Sequence, residues 1–252
     1  MMAVNVSESS AAPAAHGTPA IELENISAGY GRLVVLRNIT LSVREGEVVG
    51  ILGPNGAGKT SLLRTISRLT RIADGRLRVW GTDATDAEPW QVARMGVGHV
   101  LEGRRMFRGL TVRDSLLVGF RGSRSERTSL LDRTYTIFPR LAERHRQLAQ
   151  TLSGGEQQMV AIGRVLMTNP RLILLDEPSQ GLSPAMVDTL MESVRAISLT
   201  GLGIVLVEQN VEIAQSVIHR AIVISRGSVT NTIEHAQDGA GEIAKAMLSD
   251  LY

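Results

Sequence analysis

Gly53-Pro54-Asn55-Gly56-Ala57-Gly58-Lys59-Thr60 fills every specified position of the phosphate-binding pattern G-x-x-x-x-G-K-[ST]. Three glycines let the backbone curl into a nest of inward-pointing N–H groups, and a helix starting near Lys59 adds the positive end of its dipole to the same spot. Polyphosphate suits such a cup. Lys59 is expected to lie along the β- and γ-phosphates as a point charge, and the Thr60 hydroxyl to ligate Mg²⁺. The flanks agree with this reading. Residues 47–52 form an apolar run of buried-strand length, and residues 61–66 have helical spacing, so strand, loop and helix follow in the required order. Nucleotide contacts are therefore expected from Gly53, Pro54, Asn55, Gly56, Ala57, Gly58, Lys59, Thr60 and Ser61.

Outward from this loop, the chain downstream of Gly154 alternates helices and apolar strands: a helix over 155–167, a strand over 172–175, a helix over 184–198, a strand over 204–207, a helix over 211–218 and a strand over 221–225. That rhythm predicts an α/β fold, a mainly parallel sheet covered on both faces, with active residues at the strand C-terminal ends. Upstream, residues 21–26 alternate strictly and, with short strands at 33–36 and 39–43, predict an antiparallel β subdomain before the phosphate loop. Asp74-Gly75 reads as a turn into a strand over 76–80, and 95–101 as a short apolar run. Thr111 and Asp114 read as a capping box starting a helix through Val118. Residues 121–150 turn rich in Arg, Ser and Glu, with Leu130, Leu131, Tyr135 and Phe138 at helical spacing and a break at Pro139. A small helical subdomain is placed over about 103–168, its Arg cluster a solvated helix face. Residues 243–251 predict a short amphipathic helix, and residues 1–19, rich in Ala, Ser and Pro, a disordered leader.

Composition narrows the function. The 252 residues include no Cys, which fits a reducing compartment and removes disulfides and thiolate metal sites. No run approaches the ~18 apolar residues that a membrane span needs. The pI of 9.4 accompanies a formal charge of only +2, because almost all the cations are Arg, which does not titrate. With aromatics at 3%, there is no platform for stacking along a single strand, and no nucleic-acid partner is expected.

Two further stretches carry chemistry. In Leu172-Ile173-Leu174-Leu175-Asp176-Glu177, four apolar residues deliver two carboxylates at a strand end. Asp176 is expected to hold Mg²⁺ and Glu177 to take the proton of an attacking water. Leu152-Ser153-Gly154-Gly155-Glu156-Gln157-Gln158 is a second anion site at a helix start, without a lysine or a metal ligand.

Here the sequence resembles the ABC-transporter ATPase family, whose LSGGQ signature is matched by Leu152 to Glu156; the resemblance runs from about residue 20 to the C-terminus. It implies a P-loop NTPase core and hydrolysis of ATP. It also implies a dimer that sandwiches two ATP molecules, with Ser153, Gly154, Gly155 and Glu156 facing the nucleotide held by the partner. Tyr30 stands where the family places the aromatic that stacks on adenine. Glu102 occupies the place of a loop Gln that senses Mg²⁺ and the membrane partner, Ser183 that of the D-loop Asp, and Gln209 that of the catalytic switch His. Residues 102–107, 176–184 and 207–210 are similar to EGRxxF, DEPSxGLxP and VEQN, the forms habitual in ATPases of branched-chain amino-acid importers. The resemblance implies a second ATPase subunit, a different chain or alternatively an identical one, two integral membrane subunits and an extracytoplasmic binding protein. It places the chain on the cytoplasmic face of the membrane. Urea or amide importers, lipid or polysaccharide exporters and soluble ABC ATPases are the alternatives. Arg104, Arg105 and Arg108 beside Met106 and Phe107 mark an expected docking surface for the membrane subunit.

Overall fold

The computed structural model describes residues 18–104, 106–234, 236 and 239–248. The expected leader falls outside these residues except for Thr18 and Pro19, as does Arg105. Ile21–Tyr30 (β1), Leu33–Val43 (β2), Ile72–Val79 (β4) and Thr82–Asp83 (β5) form an antiparallel sheet in the order β2-β1-β4-β5. Val48–Leu52 (β3), Val97–Val100 (β6), Leu172–Asp176 (β7), Gly203–Glu208 (β8) and Arg220–Ser225 (β9) lie parallel in a second sheet, with Ser228–Ile233 (β10) antiparallel at its edge. The order is β10-β9-β3-β8-β7-β6.

The parallel strands are apolar throughout because both of their faces are covered. Within β8, Ile204 and Leu206 enter one core and Val205 and Val207 the other; β7 divides Ile173 and Leu175 from Leu172 and Leu174 in the same way. Lys59–Ile66 (α1) packs with the antiparallel sheet on one face, and Pro89–Arg94 (α2) adds Val92 to that core. The opposite face carries Val112–Leu117 (α3), Arg124–Ile137 (α4), Pro139–Glu143 (α5), Gly154–Leu166 (α6), Pro184–Ser198 (α7), Val211–Gln215 (α8) and Ala240–Leu248 (α9). The helical lobe enters and leaves through one neck, where Val112 N donates to Gln147 O at 2.9 Å and Ala149 N to Leu110 O at 2.9 Å. Its Leu116, Phe138 and Leu141 share the core of the parallel sheet, so the lobe is continuous with the rest of the chain.

Several expectations need correction. Asp74-Gly75 is not a turn: β4 runs through it, with Gly75 opposing both Asn25 and Ile26 in a bulge. Gly75 is needed there, since its φ is +90° and a Cβ would stand 2.5 Å from the carbonyl oxygens of Glu24 and Asn25. Residues 33–43 are one strand, not two. The Thr111 hydroxyl accepts from Asp114 N, but it also donates to Asp114 Oδ2, so the shorter acid closes on the hydroxyl and the reciprocal half of the box is absent. Helix α8 stops at Gln215, because the chain must turn for His219 N to reach Val48 O and begin β9.

A buried ion pair ties the two sheets together. Arg220, at the start of β9, donates to Glu47 Oε1 at 2.7 Å and Oε2 at 3.0 Å, and to Ser42 O at 2.7 Å. Burial alone raises the Glu47 carboxyl, but the Arg220 fork and the Arg44 N–H outweigh it and leave the pKa lowered. The pair therefore stabilises the fold above the unfolded carboxylate range, and that contribution is lost as pH falls through the lower folded value. Glu47→Gln is expected to cost about 2 kcal/mol at neutral pH, the worth of a hydrogen bond to a charged group. Thermal unfolding across pH checks this: the gap to the parent should close below about pH 4.

Candidate nucleotide site

The phosphate loop joins β3 to α1 at the C-terminal edge of the parallel sheet. Gly53 (φ +153°) passes so near β9 that a Cβ would lie 2.1 Å from Ile224 O, and Gly58 (φ +108°) turns the chain into α1. These backbone constraints explain why the stretch tolerates no side chain at either position. Lys59 is 4% exposed; its ammonium donates to Gly53 O at 2.9 Å and Pro54 O at 3.1 Å and lies 3.5 Å from Glu177 Oε1. The lysine thus lies within the loop, beside the acid at the end of β7.

Thr60 Oγ1 donates to Asp176 Oδ1 at 2.9 Å, joining the phosphate loop to β7. Burial pushes the Asp176 carboxyl up to about 6 despite the Thr60 hydrogen bond, with the charges of Glu102 and Glu177 adding to the rise. Asp176 Oδ2 is buried and has no hydrogen-bond partner. An oxygen donor set with one unsatisfied carboxylate oxygen fits a hard divalent cation. Among the described residues no group of three or more His, Cys, Asp or Glu converges to hold a metal. Glu102 is exposed and lines an open cleft with Asp176, Glu177, Gln157 and Gln158. It belongs to the same cleft without joining a ligand cluster.

Glu177 is held at the ends of two strands, β7 and β8. Its backbone takes a left-handed conformation (φ +44°), unusual for a non-glycine residue, and its N–H donates to Val207 O of β8 at 3.1 Å. Gln209, just past β8, donates through Nε2 to Glu177 Oε2 at 2.7 Å, and Gln180 Nε2 reaches the same oxygen at 3.4 Å. Beneath them, buried Glu208 accepts from Ser179 N at 3.1 Å. Burial raises the Glu208 pKa, against the Ser179 hydrogen bond. Sequence reading assigned no role to Glu208 or Gln180. An acid closing an apolar strand beside a second acidic strand end is the signal that was available.

Ser153 caps α6. It accepts from Glu156 N at 3.4 Å, while Glu156 Oε2 accepts from Ser153 N at 3.0 Å and from the Ser153 hydroxyl at 2.8 Å. Arg144 takes the other oxygen of Glu156 at 3.1 Å, so one half-exposed member of the Arg-rich stretch is also a cap partner. Glu156 is occupied in fixing the helix start, which leaves Gly154 and Gly155 as bare backbone at its first turn. The hydrogen bonds described for Ser153 and Glu156 do not reach the P-loop of the same chain. Tyr30, at the end of β1, is 43% exposed, with its hydroxyl 3.4 Å from Ser61 Oγ. The same hydroxyl accepts from Arg64 Nη1 at 3.5 Å, which sets Tyr30 beside α1. Ser183 is the N-cap of α7 but makes no side-chain cap bond. Phe107 is exposed under the Arg164 guanidinium, 5.1 Å from its ring centre, and Met106 packs on the core behind it.

The family model described as ABC transporter matches residues 36–180. The high-affinity branched-chain amino acid transport ATP-binding protein BraG of Pseudomonas aeruginosa is 36% identical over 92% of this chain and 98% of its own length. The lipopolysaccharide export system ATP-binding protein LptB of Haemophilus influenzae is 32% identical over 83% of this chain and 88% of its own. Among solved structures, a nucleotide-free ATP-binding cassette from an ABC transporter is similar with a TM-score of 0.78 and 26% identity, covering 92% of this chain and 95% of that one. A dimeric cassette in a post-hydrolysis state bound to ADP and phosphate aligns with a TM-score of 0.74 and 25% identity, over 85% and 98% of the two chains.

Proposed function

We propose, from the premise that this chain belongs to the ABC transporter family, that it is the ATP-hydrolysing subunit of an importer for branched-chain or related amino acids. The observation that carries the catalytic part is the convergence of Lys59, Thr60, Asp176, Glu177 and Gln209 on one loop and two strand ends. Lys59 and the loop N–H groups bind the phosphates, and Tyr30 offers its ring to the base. Thr60 and Asp176 would hold Mg²⁺, which supplies charge stabilisation to the phosphoryl group. Glu102 lines the same cleft as Asp176 and Glu177. Glu177 accepts the proton of the attacking water, with Gln209 fixing its carboxylate. Gln209 cannot titrate, so it positions the base and relays no proton.

The capped start of α6 supports a role in a dimer, in which Ser153, Gly154 and Gly155 face the partner's nucleotide and Glu156 keeps the serine in place. The remaining partners in this reading are a second, non-identical ATPase chain, two integral membrane subunits docked near Phe107, and an extracytoplasmic binding protein. Nucleic acid is not among them. No helix among the described residues is long and apolar enough to cross a membrane, and the chain works at the cytoplasmic face through its membrane partners. Transport of amino acids is favoured over lipopolysaccharide export because the match to BraG is both longer and higher in identity than that to LptB.

Reconstitution in vesicles with the two membrane subunits tests the substrate. ATP hydrolysis is expected to rise about threefold or more with binding protein loaded with leucine, isoleucine or valine, the mark of a ligand that favours the closed state. Stimulation by urea or short amides alone would reassign the substrate, and indifference to every binding protein would remove import.

A further inference from the structure

We propose that Arg104 is a positioning residue for hydrolysis: it clamps the segment carrying Glu177 to the loop carrying Glu102. This rests on the reading of Glu177 as the general base. Gly103 (φ +89°) and Arg104 (φ +55°) are consecutive left-handed residues, and they double the loop back on itself. The guanidinium that results does not point to solvent. Its Nη2 donates to Gln180 O at 3.1 Å and Gly181 O at 3.4 Å, two successive carbonyls beyond the base. Its other nitrogen lies over the start of α6, so close that a Cβ on Gly154 would stand 2.6 Å from Nη1.

The clamp reaches Glu177 through one intervening residue. Gln180 N donates to Glu177 O at 3.1 Å, and its side-chain amide reaches Glu177 Oε2 at 3.4 Å. Arg104 holds Gln180 by its carbonyl, so a shift of the Glu102 loop is passed to the oxygen that must take the proton. An ordinary surface arginine would seek a carboxylate. Among the described residues none pairs with Arg104, and the cation sits instead at the positive end of α6, where the helix dipole opposes it. It tolerates that place because a planar guanidinium meets two carbonyls and a bare glycine turn together, which a compact ammonium cannot do in full.

Steady-state hydrolysis by the full chain assembled with its transporter partners tests the clamp. Arg104→Ala is expected to lower kcat about tenfold with KM for ATP within about twofold of the parent, the mark of an interaction needed in the transition state and not for binding. Arg104→Lys, which keeps one carbonyl contact, should recover kcat to within about threefold. Gln180→Ala should fall similarly, and the double variant should be no more than about twofold below the weaker single, because both act along one line of contacts. Arg104→Gln replaces the Ala variant if that one does not fold. A kcat within about twofold of the parent, a loss confined to KM, or losses that multiply in the double variant would overturn the proposal. Glu177→Gln run in parallel separates the two readings. If it abolishes hydrolysis while Arg104→Ala leaves kcat within about twofold of the parent, only the clamp fails; if Glu177→Gln still turns over, the base itself is misassigned.

Discussion

Glu177→Gln is expected to reduce ATP turnover by about 10²-fold or more while ATP still binds. The substitution preserves shape: the amide oxygen can still accept from Gln209 Nε2, which stands 2.7 Å from Glu177 Oε2, and the left-handed backbone at 177 is unchanged. What disappears is the proton acceptor. With the oxygen turned to Gln209, the new amide nitrogen faces Lys59 and the phosphate site, where it has no lone pair to offer a water. Binding should hold or tighten, because a carboxylate beside a polyphosphate repels it and an amide does not. Single-turnover hydrolysis and fluorescent-nucleotide titration on the assembled dimer measure the two quantities separately. Near-normal cleavage would show that another group activates the water.

Much of this site was legible because its chemistry is local in sequence. The phosphate loop, the strand ending in Asp176-Glu177 and the helix starting at Ser153 each carry their meaning within eight residues, and their backbone geometry follows from the glycines and the apolar runs. The strand that crosses Asp74-Gly75 was not legible, since a glycine in a bulge and a glycine in a turn look alike until the opposing strand shows two residues facing one. Helix α2 and strand β10 were missed for a related reason: each is six residues long, and β10 is a mostly polar edge strand whose pairing with β9 alone makes it a strand. The shared core of the lobe, the Arg220–Glu47 tie and the clamp of Arg104 on Gln180 span long intervals of chain, so only the fold could reveal them. The resemblance places Glu156 in the signature that faces the partner's nucleotide, a role its local sequence does not explain. The fold gives its two oxygens to Ser153 and Arg144.

Lys59→Ala should act on the other half of the reaction, weakening ATP binding by about 10²-fold or more. The Lys59 ammonium donates to Gly53 O and Pro54 O and lies beside the Glu177 carboxylate. A polyphosphate entering the loop offers stronger, charged acceptors at the same place, so the lysine exchanges two neutral carbonyls for phosphate oxygens. Each hydrogen bond to a charged group contributes about 1.5–3 kcal/mol, and losing two of them removes at least ~3 kcal/mol of binding, or about 10²-fold in Kd. The loop N–H groups and the α1 dipole remain, so binding should weaken and not vanish. Lys59→Arg is expected to rescue little, because a planar fork is too broad for a buried position only 4% exposed and too rigid to turn from the two carbonyls to phosphate. Isothermal titration with a non-hydrolysable ATP analogue measures the change, and thermal unfolding without nucleotide confirms that the variant is folded. The contrast with Glu177→Gln is what makes the pair informative: one variant should lose affinity and the other turnover, although the two side chains lie 3.5 Å apart. An affinity for the analogue within about threefold of the parent would mean that the loop backbone alone holds the phosphates, and that Lys59 serves the fold through its contacts with Gly53, Pro54 and Glu177.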